Sequence, residues 1–194
     1  MKINKTDFLK SCYKETQFPN YLYPEFAFLG RSNVGKSSLI NMLLNQKRLV
    51  KTGSKPGVTV AVNFFLVNDH LSFVDLPGYG YAKLPLDIKK KFLPLIKSYL
   101  ETRDNLKLAF LLIDARREPD QTEHEIIKTL LDNEISLAIT LTKCDKLSNN
   151  ELKKNTLKIA DKLGVDQQAI FYTSSAQKKG RKELLSLIQE YTTK

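Results

Sequence analysis

Gly30-Arg31-Ser32-Asn33-Val34-Gly35-Lys36-Ser37 has the spacing G-x-x-x-x-G-K-S, a pattern suited to wrapping a phosphate chain. Its two glycines let the backbone turn tightly and aim several N–H groups at one centre, where a following helix N-terminus adds its own positive end. Lys36 is then placed to reach the β- and γ-phosphates, and the Ser37 hydroxyl to ligate Mg²⁺. The apolar run Phe26-Ala27-Phe28-Leu29 precedes the motif and Ser38-Leu39-Ile40-Asn41-Met42-Leu43-Leu44 follows it. That order predicts strand, loop and helix, the context in which such a loop binds a nucleotide.

Three further stretches fit the same ligand. Asp75-Leu76-Pro77-Gly78 closes an apolar run about forty residues downstream. There the carboxylate can hold Mg²⁺, usually through water, and the Gly78 N–H can report a γ-phosphate. Thr142-Lys143-Cys144-Asp145 follows another apolar run. Asp145 offers two acceptor oxygens to the N1–H and exocyclic amine of guanine, a donor pair that adenine lacks, and the Lys143 stem can lie along a purine face. Thr173-Ser174-Ser175-Ala176 follows the last short run and can give backbone N–H groups to the guanine O6. GTP or GDP with Mg²⁺ is thus the expected ligand set. Tyr79 stands where many such enzymes carry a water-orienting glutamine, and a phenol cannot present both a carbonyl and an amine to water. No arginine is evident in cis at the switch loop: Arg31 lies inside the phosphate loop and Arg48 precedes a Gly-, Lys- and Ser-rich segment.

These stretches need a scaffold that brings strand ends together. Val60–Val67, the pair Asn68-Asp69 and Leu71–Asp75 predict a β-hairpin. Beyond it, apolar strands over Lys107–Ile113, Ser136–Leu141 and Ala169–Tyr172 alternate with helices over Asp87–Glu101, Gln121–Leu131, Asn149–Leu163 and Lys182–Tyr191, with Pro94 expected to kink the first of these helices. Alternation of this kind predicts a three-layer αβα sandwich on a mostly parallel, six-stranded sheet, with ligands at the carboxyl ends of its strands. Residues 1–24, ending in Pro19 and Pro24, predict an extension packed on the domain, and residues 25–194 the domain itself.

The chain has 194 residues and a formal net charge of +10. No apolar run reaches the ~20 residues of a membrane span, and Met1-Lys2-Ile3-Asn4-Lys5-Thr6-Asp7 has no apolar signal region, so a cytoplasmic protein is expected. Cys12 and Cys144 form no ligand or redox motif, and His70 and His124 lie apart in polar surroundings. The charge suits a polyanionic partner or, equally, solubility through scattered lysines, with lysines clustered at Lys89-Lys90-Lys91, Lys153-Lys154, Lys178-Lys179 and Arg181-Lys182. Without interleaved aromatics of an RNA-recognition kind, contact with RNA is expected to be electrostatic and shape-based.

In order, GRSNVGKSSLIN, KPGVT, VDLPGYGYA, TKCD and SSA resemble the EngB (YihA/YsxC) family of bacterial GTPases in the translation-factor-related class. The resemblance implies a Ras-like G domain that acts in assembly of the large (50S) ribosomal subunit and is needed for normal cell division and septation. It implies rRNA and ribosomal proteins as partners, with no DNA. It also implies that Gly57-Val58-Thr59-Val60-Ala61 forms the switch around the nucleotide, Thr59 closing on Mg²⁺ and the γ-phosphate. Thr59 is also the first hydroxyl after a Gly-containing loop and immediately precedes a strand, where a β-branched residue could equally be a strand starter. The groups nearest the chemistry are then Lys36, Thr59 and Gly78, and the metal ligands Ser37, Thr59 and Asp75. Asn33 resembles the residue that helps hold K⁺ in potassium-activated GTPases; it also suits local loop hydrogen bonds. The chain departs from the family at Val60, where a polar residue is common. Its base motif opens on Thr142 rather than asparagine, as the family's does, which predicts one weaker scaffold hydrogen bond. The competing readings are an RNA-binding assembly scaffold with a structural nucleotide and a P-loop small-molecule kinase, the latter disfavoured by TKCD.

Overall fold

The apolar runs become strands buried on both faces, as parallel strands between helical layers must be. The fold is given by a computed structural model that describes residues 1–47, 49–50, 61–80 and 86–193, the side chains of 86–93 excepted. Its strands are β1 (Thr6–Cys12), β2 (Glu25–Gly30), β3 (Val62–Val67), β4 (Leu71–Asp75), β5 (Leu106–Asp114), β6 (Leu137–Thr142) and β7 (Ile170–Tyr172). Its helices are α1 (Lys36–Leu44), α2 (Leu86–Thr102), α3 (Gln121–Asp132), α4 (Asn149–Leu163) and α5 (Arg181–Thr192). The sheet order is β1-β3-β4-β2-β5-β6-β7. Pairing is parallel from β4 through β2 to β7 and antiparallel in β1–β3 and β3–β4.

Alternation along each strand splits the core in two. One face packs Val62, Phe64, Leu111 and Leu141 with residues of α2, α3 and α4. The other packs Phe26, Phe28, Phe73 and Phe110 with residues of α1 and α5. Helix ends carry their own signals: Asp120 and Ser148 close capping boxes on α3 and α4, and Gly164 ends α4 at φ 66°. Helix α2 runs on through Pro94.

Among the described residues the sheet has seven strands, not the expected six. The added strand is β1, drawn from residues 1–24, whose sequence hides it for a physical reason. It lies at an edge, Asp7 to Lys10 are all exposed, and the register shifts between Phe8 and Lys10, so no apolar alternation survives to be seen.

The chain passes from β4 on one side of β2 to β5 on the other, which makes the carboxyl end of β2 a switch point. Register places Phe28 beside Asp75, Gly30 beside Leu112, Asp114 beside Thr142 and Leu141 beside Tyr172. The four predicted stretches therefore leave the sheet along one rim.

Candidate nucleotide site

The phosphate loop turns over β5 so closely that a Cβ on Gly30 would come within 2.9 Å of the Leu112 carbonyl oxygen and of Val34 Cγ1. Gly35, at φ 110°, caps α1 in a conformation closed to most side chains. Asn33 sits at φ 62°, which asparagine tolerates. The first helical bond at this end of α1 is Leu39 N–H to the Gly35 carbonyl, 2.9 Å. The N–H groups of Lys36, Ser37 and Ser38 ahead of it have no intrahelical acceptor, which leaves them for an anion.

At that turn the Lys36 ammonium pairs with the Asp75 carboxylate at the end of β4, both side chains nearly buried. The Ser37 hydroxyl lies one residue on. One carboxylate and one hydroxyl make an all-oxygen donor set that fits Mg²⁺, which takes its remaining ligands from phosphate and water. Ala61 lies half-buried ahead of β3. Gly57, Val58, Thr59 and Val60 lie outside the described residues, as do Arg48 and the side chains of Lys89 to Lys91.

The loop after β4 is stitched to the phosphate loop. Ser32 N–H donates to the Tyr79 carbonyl at 2.7 Å and Tyr79 N–H to the Gly30 carbonyl at 3.3 Å, a parallel bridge between Arg31 and Tyr79. Leu76 N–H donates to the Phe28 carbonyl at 3.1 Å, and Pro77 and Gly78 follow half-buried. The Tyr79 ring is 1% exposed in the core, and burial pushes its phenol far above the ordinary value, with Glu123 adding to the effect. Tyr79 is thus an anchor, not a group facing solvent. Arg31 is equally engaged: its guanidinium pairs with Asp120 at the cap of α3.

At the other end of the rim, the Thr142 hydroxyl donates to the Val34 carbonyl at 2.6 Å. A threonine therefore does tie the base motif to the phosphate loop, and with its single proton the 3.3 Å approach to the Ile113 carbonyl is a weaker alternative. Lys143, at φ 58°, donates to the Asn33 carbonyl at 2.5 Å. Cys144 is buried, and its N–H donates to the Thr173 carbonyl at 3.1 Å. Asp145 accepts from the Ser174 hydroxyl at 2.6 Å, and that bond holds its carboxyl below the ordinary value. The carboxylate is ionised and keeps free lone pairs on both oxygens. Thr173 and Ser174 give their N–H groups to Leu141 and Lys179. Of the four predicted donors to O6, Ser175 and Ala176 are the two whose N–H groups have no acceptor among the described residues.

Sequence reasoning missed Asp114. It is 6% exposed at the end of β5, accepts two bonds from Arg116 at 2.9 and 2.7 Å and lies 3.0 Å from the Lys143 ammonium. Its one sequence signal, a carboxylate closing an apolar run, is the one that identified Asp75. Burial opposes its ionisation, but bonds from Arg116 and Lys143 outweigh that and hold the carboxyl at about 2. A carboxyl whose folded value is depressed stabilises the fold above its unfolded value, and the contribution fades as pH falls through the folded one. Stability of Asp114→Asn, followed by circular dichroism, is expected to lie below wild type at neutral pH. The two curves should converge between about pH 4 and pH 2, the window between the unfolded and folded values.

The description "50S ribosome-binding GTPase" matches residues 25–143, and the GTP-binding domain of elongation factor Tu matches residues 94–194. A probable GTP-binding protein EngB from Desulforapulum autotrophicum is 48% identical over 184 residues, 95% of each chain. One from Protochlamydia amoebophila is 45% identical over 97% of this chain and 92% of its own. Among solved structures, a probable GTP-binding protein engB superposes with a TM-score of 0.73 at 25% identity, covering 87% of this chain and 98% of the other. Aquifex aeolicus Era bound to GDP and AlF₄⁻ shares the fold with a TM-score of 0.67 at 23% identity, over 88% of this chain and 57% of its own. The stitched phosphate loop, the Lys36–Asp75 pair and the Asp145 carboxylate agree with these matches, and the chain belongs to the EngB family of GTP-binding proteins, GTPases built on a Ras-like G domain.

Proposed function

We propose that this GTPase is a Mg²⁺-dependent switch in assembly of the large ribosomal subunit, acting in the cytoplasm and needed for normal cell division and septation. The observation that carries the reading is the Arg31–Tyr79 bridge. It joins the loop that holds phosphate to the loop that leaves β4, so a change at the γ-phosphate is passed to a surface segment. The net charge of +10 suits an rRNA partner. No helix among the described residues is long and apolar enough to cross a membrane.

The residues divide the work. Main-chain N–H groups at the Gly35 to Ser37 turn wrap the phosphates, and Lys36 moves its charge from Asp75 to them. Ser37, Asp75 and Thr59 hold Mg²⁺, which when bound neutralises charge on the β- and γ-phosphates. Gly78 donates its N–H to the γ-phosphate, with Leu76 and Pro77 fixing its position, and Gly57 to Ala61 close over the nucleotide. Thr142, Lys143 and Cys144 hold Asp145 against guanine N1–H and the exocyclic amine, and Ser175 and Ala176 donate to O6. Asp114 positions Lys143.

With Tyr79 anchored and Arg31 paired, neither a water-orienting amide nor a cis arginine is offered to the attacking water among the described residues. Intrinsic turnover of about 10⁻² s⁻¹ or less is expected, with a partner supplying activation. Asn33 would hold K⁺, which would supply positive charge toward the phosphates. Single-turnover assays in K⁺ and in Na⁺ at matched ionic strength should differ at least tenfold. Equal rates remove the K⁺ role, and several turnovers per second without ribosomes contradict the slow cycle.

The test of the switch is retention of purified chain on 50S particles in sedimentation. Retention should be much greater with a non-hydrolysable GTP analogue than with GDP. Equal retention would favour a scaffold whose nucleotide is structural.

A further inference from the structure

We propose that the turn after β5, residues 115–118, and the outer face of α4 form one surface that holds the phosphate backbone of double-helical RNA in either nucleotide state. The proposal rests on the ribosomal reading above and names the part of the chain whose RNA contact does not depend on GTP.

Three contacts fasten the turn along α4. The Asn155 side-chain amide donates to the Ala115 carbonyl at 2.9 Å. Glu118 pairs with the Lys158 and Lys162 ammonium groups at 3.3 and 2.7 Å. Lys154, four residues before Lys158, stands on the same stripe of the helix. Arg116 and Arg117 lie exposed between Ala115 and Glu118. Both line, with Glu118, a cavity of about 220 Å³ that Arg31 and Asn33 of the phosphate loop also line. The surface therefore runs from the flank of the phosphate loop along α4 and adjoins the nucleotide without holding it.

Charge and side-chain type select the occupant. Residues 115–118 and α4 hold six Lys and Arg residues but three Asp and Glu residues. Of those acids, Glu151 is engaged in the α4 capping box, and Glu118 gathers two lysines onto one carboxylate. Arg117 and Lys154 are exposed and make no ion pair among the described residues. Holding Lys158 and Lys162 side by side lowers the entropy lost when both meet a phosphate. An acidic protein is disfavoured, because the core of a protein interface needs aromatic or large apolar anchors, and the one exposed large apolar side chain here is Leu157. Without exposed rings the surface cannot stack the bases of a single strand. A double helix asks only for cations along its phosphates. Neither the turn nor α4 includes residues 57–61 or Gly78, which answer to the γ-phosphate in the reading above. Its affinity is therefore constant, and the switch adds the part that depends on GTP.

The probe is a fluorescein-labelled RNA duplex of about 16 base pairs, titrated with the full chain loaded with GTP analogue or with GDP. Wild type should bind it equally in both states and prefer it to either single strand. Arg117→Gln with Lys154→Gln, Lys158→Gln and Lys162→Gln should weaken duplex binding roughly tenfold or more and lower the slope of log affinity on log salt by about 3. Lys2→Gln with Lys10→Gln, Lys14→Gln and Lys107→Gln removes the same charge from exposed sites elsewhere. That variant should stay within about threefold of wild type, since distant exposed charges are screened. GDP affinity should be unchanged in both. Equal losses in the two variants would mean that overall charge draws RNA and would overturn the proposal, as would a preference for single strands or an affinity that follows the nucleotide. Loss of 50S retention in the first variant with unchanged duplex binding would assign the surface to a ribosomal protein and overturn the RNA assignment. If duplex binding fails while GTP-dependent retention on 50S particles persists, the surface falls and the ribosomal reading stands. If retention ignores the nucleotide while the duplex results hold, the switch falls and the surface stands.

Discussion

Asp145→Asn is expected to weaken GDP binding roughly 10³-fold or more while leaving the melting temperature close to wild type. Guanine presents two donors on the edge that faces this residue, and an ionised carboxylate presents acceptors to both. The substituted amide keeps one acceptor and turns a donor toward a donor, leaving two polar groups unpaired in a confined site. The fold should survive because the Ser174 hydroxyl, 2.6 Å from Oδ1, can donate to an amide oxygen as well. Xanthine carries a carbonyl where guanine carries its amine, so XDP affinity should rise in the variant. Calorimetry with GDP and XDP on both proteins reads this directly. Unchanged GDP affinity would mean that Asp145 does not meet the base.

The second large effect lies at the opposite rim and concerns stability. Glu25, the first residue of β2, is fully buried. Arg103 donates to its two carboxylate oxygens at 2.5 and 3.2 Å, and the Tyr99 hydroxyl adds a bond of 2.8 Å. The same guanidinium donates to the Pro19 carbonyl at 3.1 Å and lies over the Tyr21 and Phe64 rings at 5.6 and 5.9 Å. Arg103→Ala strands a carboxylate in a dry interior, which costs about 3–5 kcal/mol. For a chain of this size that lowers the melting temperature by on the order of 10 °C. Replacing both partners, Glu25→Leu with Arg103→Met, should recover most of the loss, because removing a buried pair is far milder than breaking one. Calorimetric GDP affinity below the melting transition should stay at wild type in every case. A fall of only a degree or two in Arg103→Ala would mean that the Glu25 charge finds another partner.

The phosphate loop, the hairpin, the strand-ending Asp75 and the base motif were legible because each is a short run whose spacing and apolar flanks carry the message. Helix α4 has the bounds predicted for it, Asn149–Leu163, and ends at Gly164. The rest depended on contacts between distant segments. Asp114 matters because Lys143, 29 residues on, folds back to it. Tyr79 stands where a water-orienting glutamine would, and its burial in the core, with its backbone bridged to Arg31, is a contact between distant segments. Thr142 was expected to weaken a bond that its hydroxyl makes to Val34, 108 residues earlier. Strand β1 escaped notice because an exposed edge with a register shift has no period to detect.

The whole account turns on a guanine nucleotide lying across the loops that leave β2, β4, β6 and β7. Calorimetric titration of the nucleotide-free chain with GDP and then with ADP, each with Mg²⁺, tests this most directly. The account predicts saturable one-to-one binding of GDP and ADP binding weaker by a factor of a hundred or more, because adenine gives Asp145 no matching donor pair. Equal affinity for the two, or no binding of either, would contradict it.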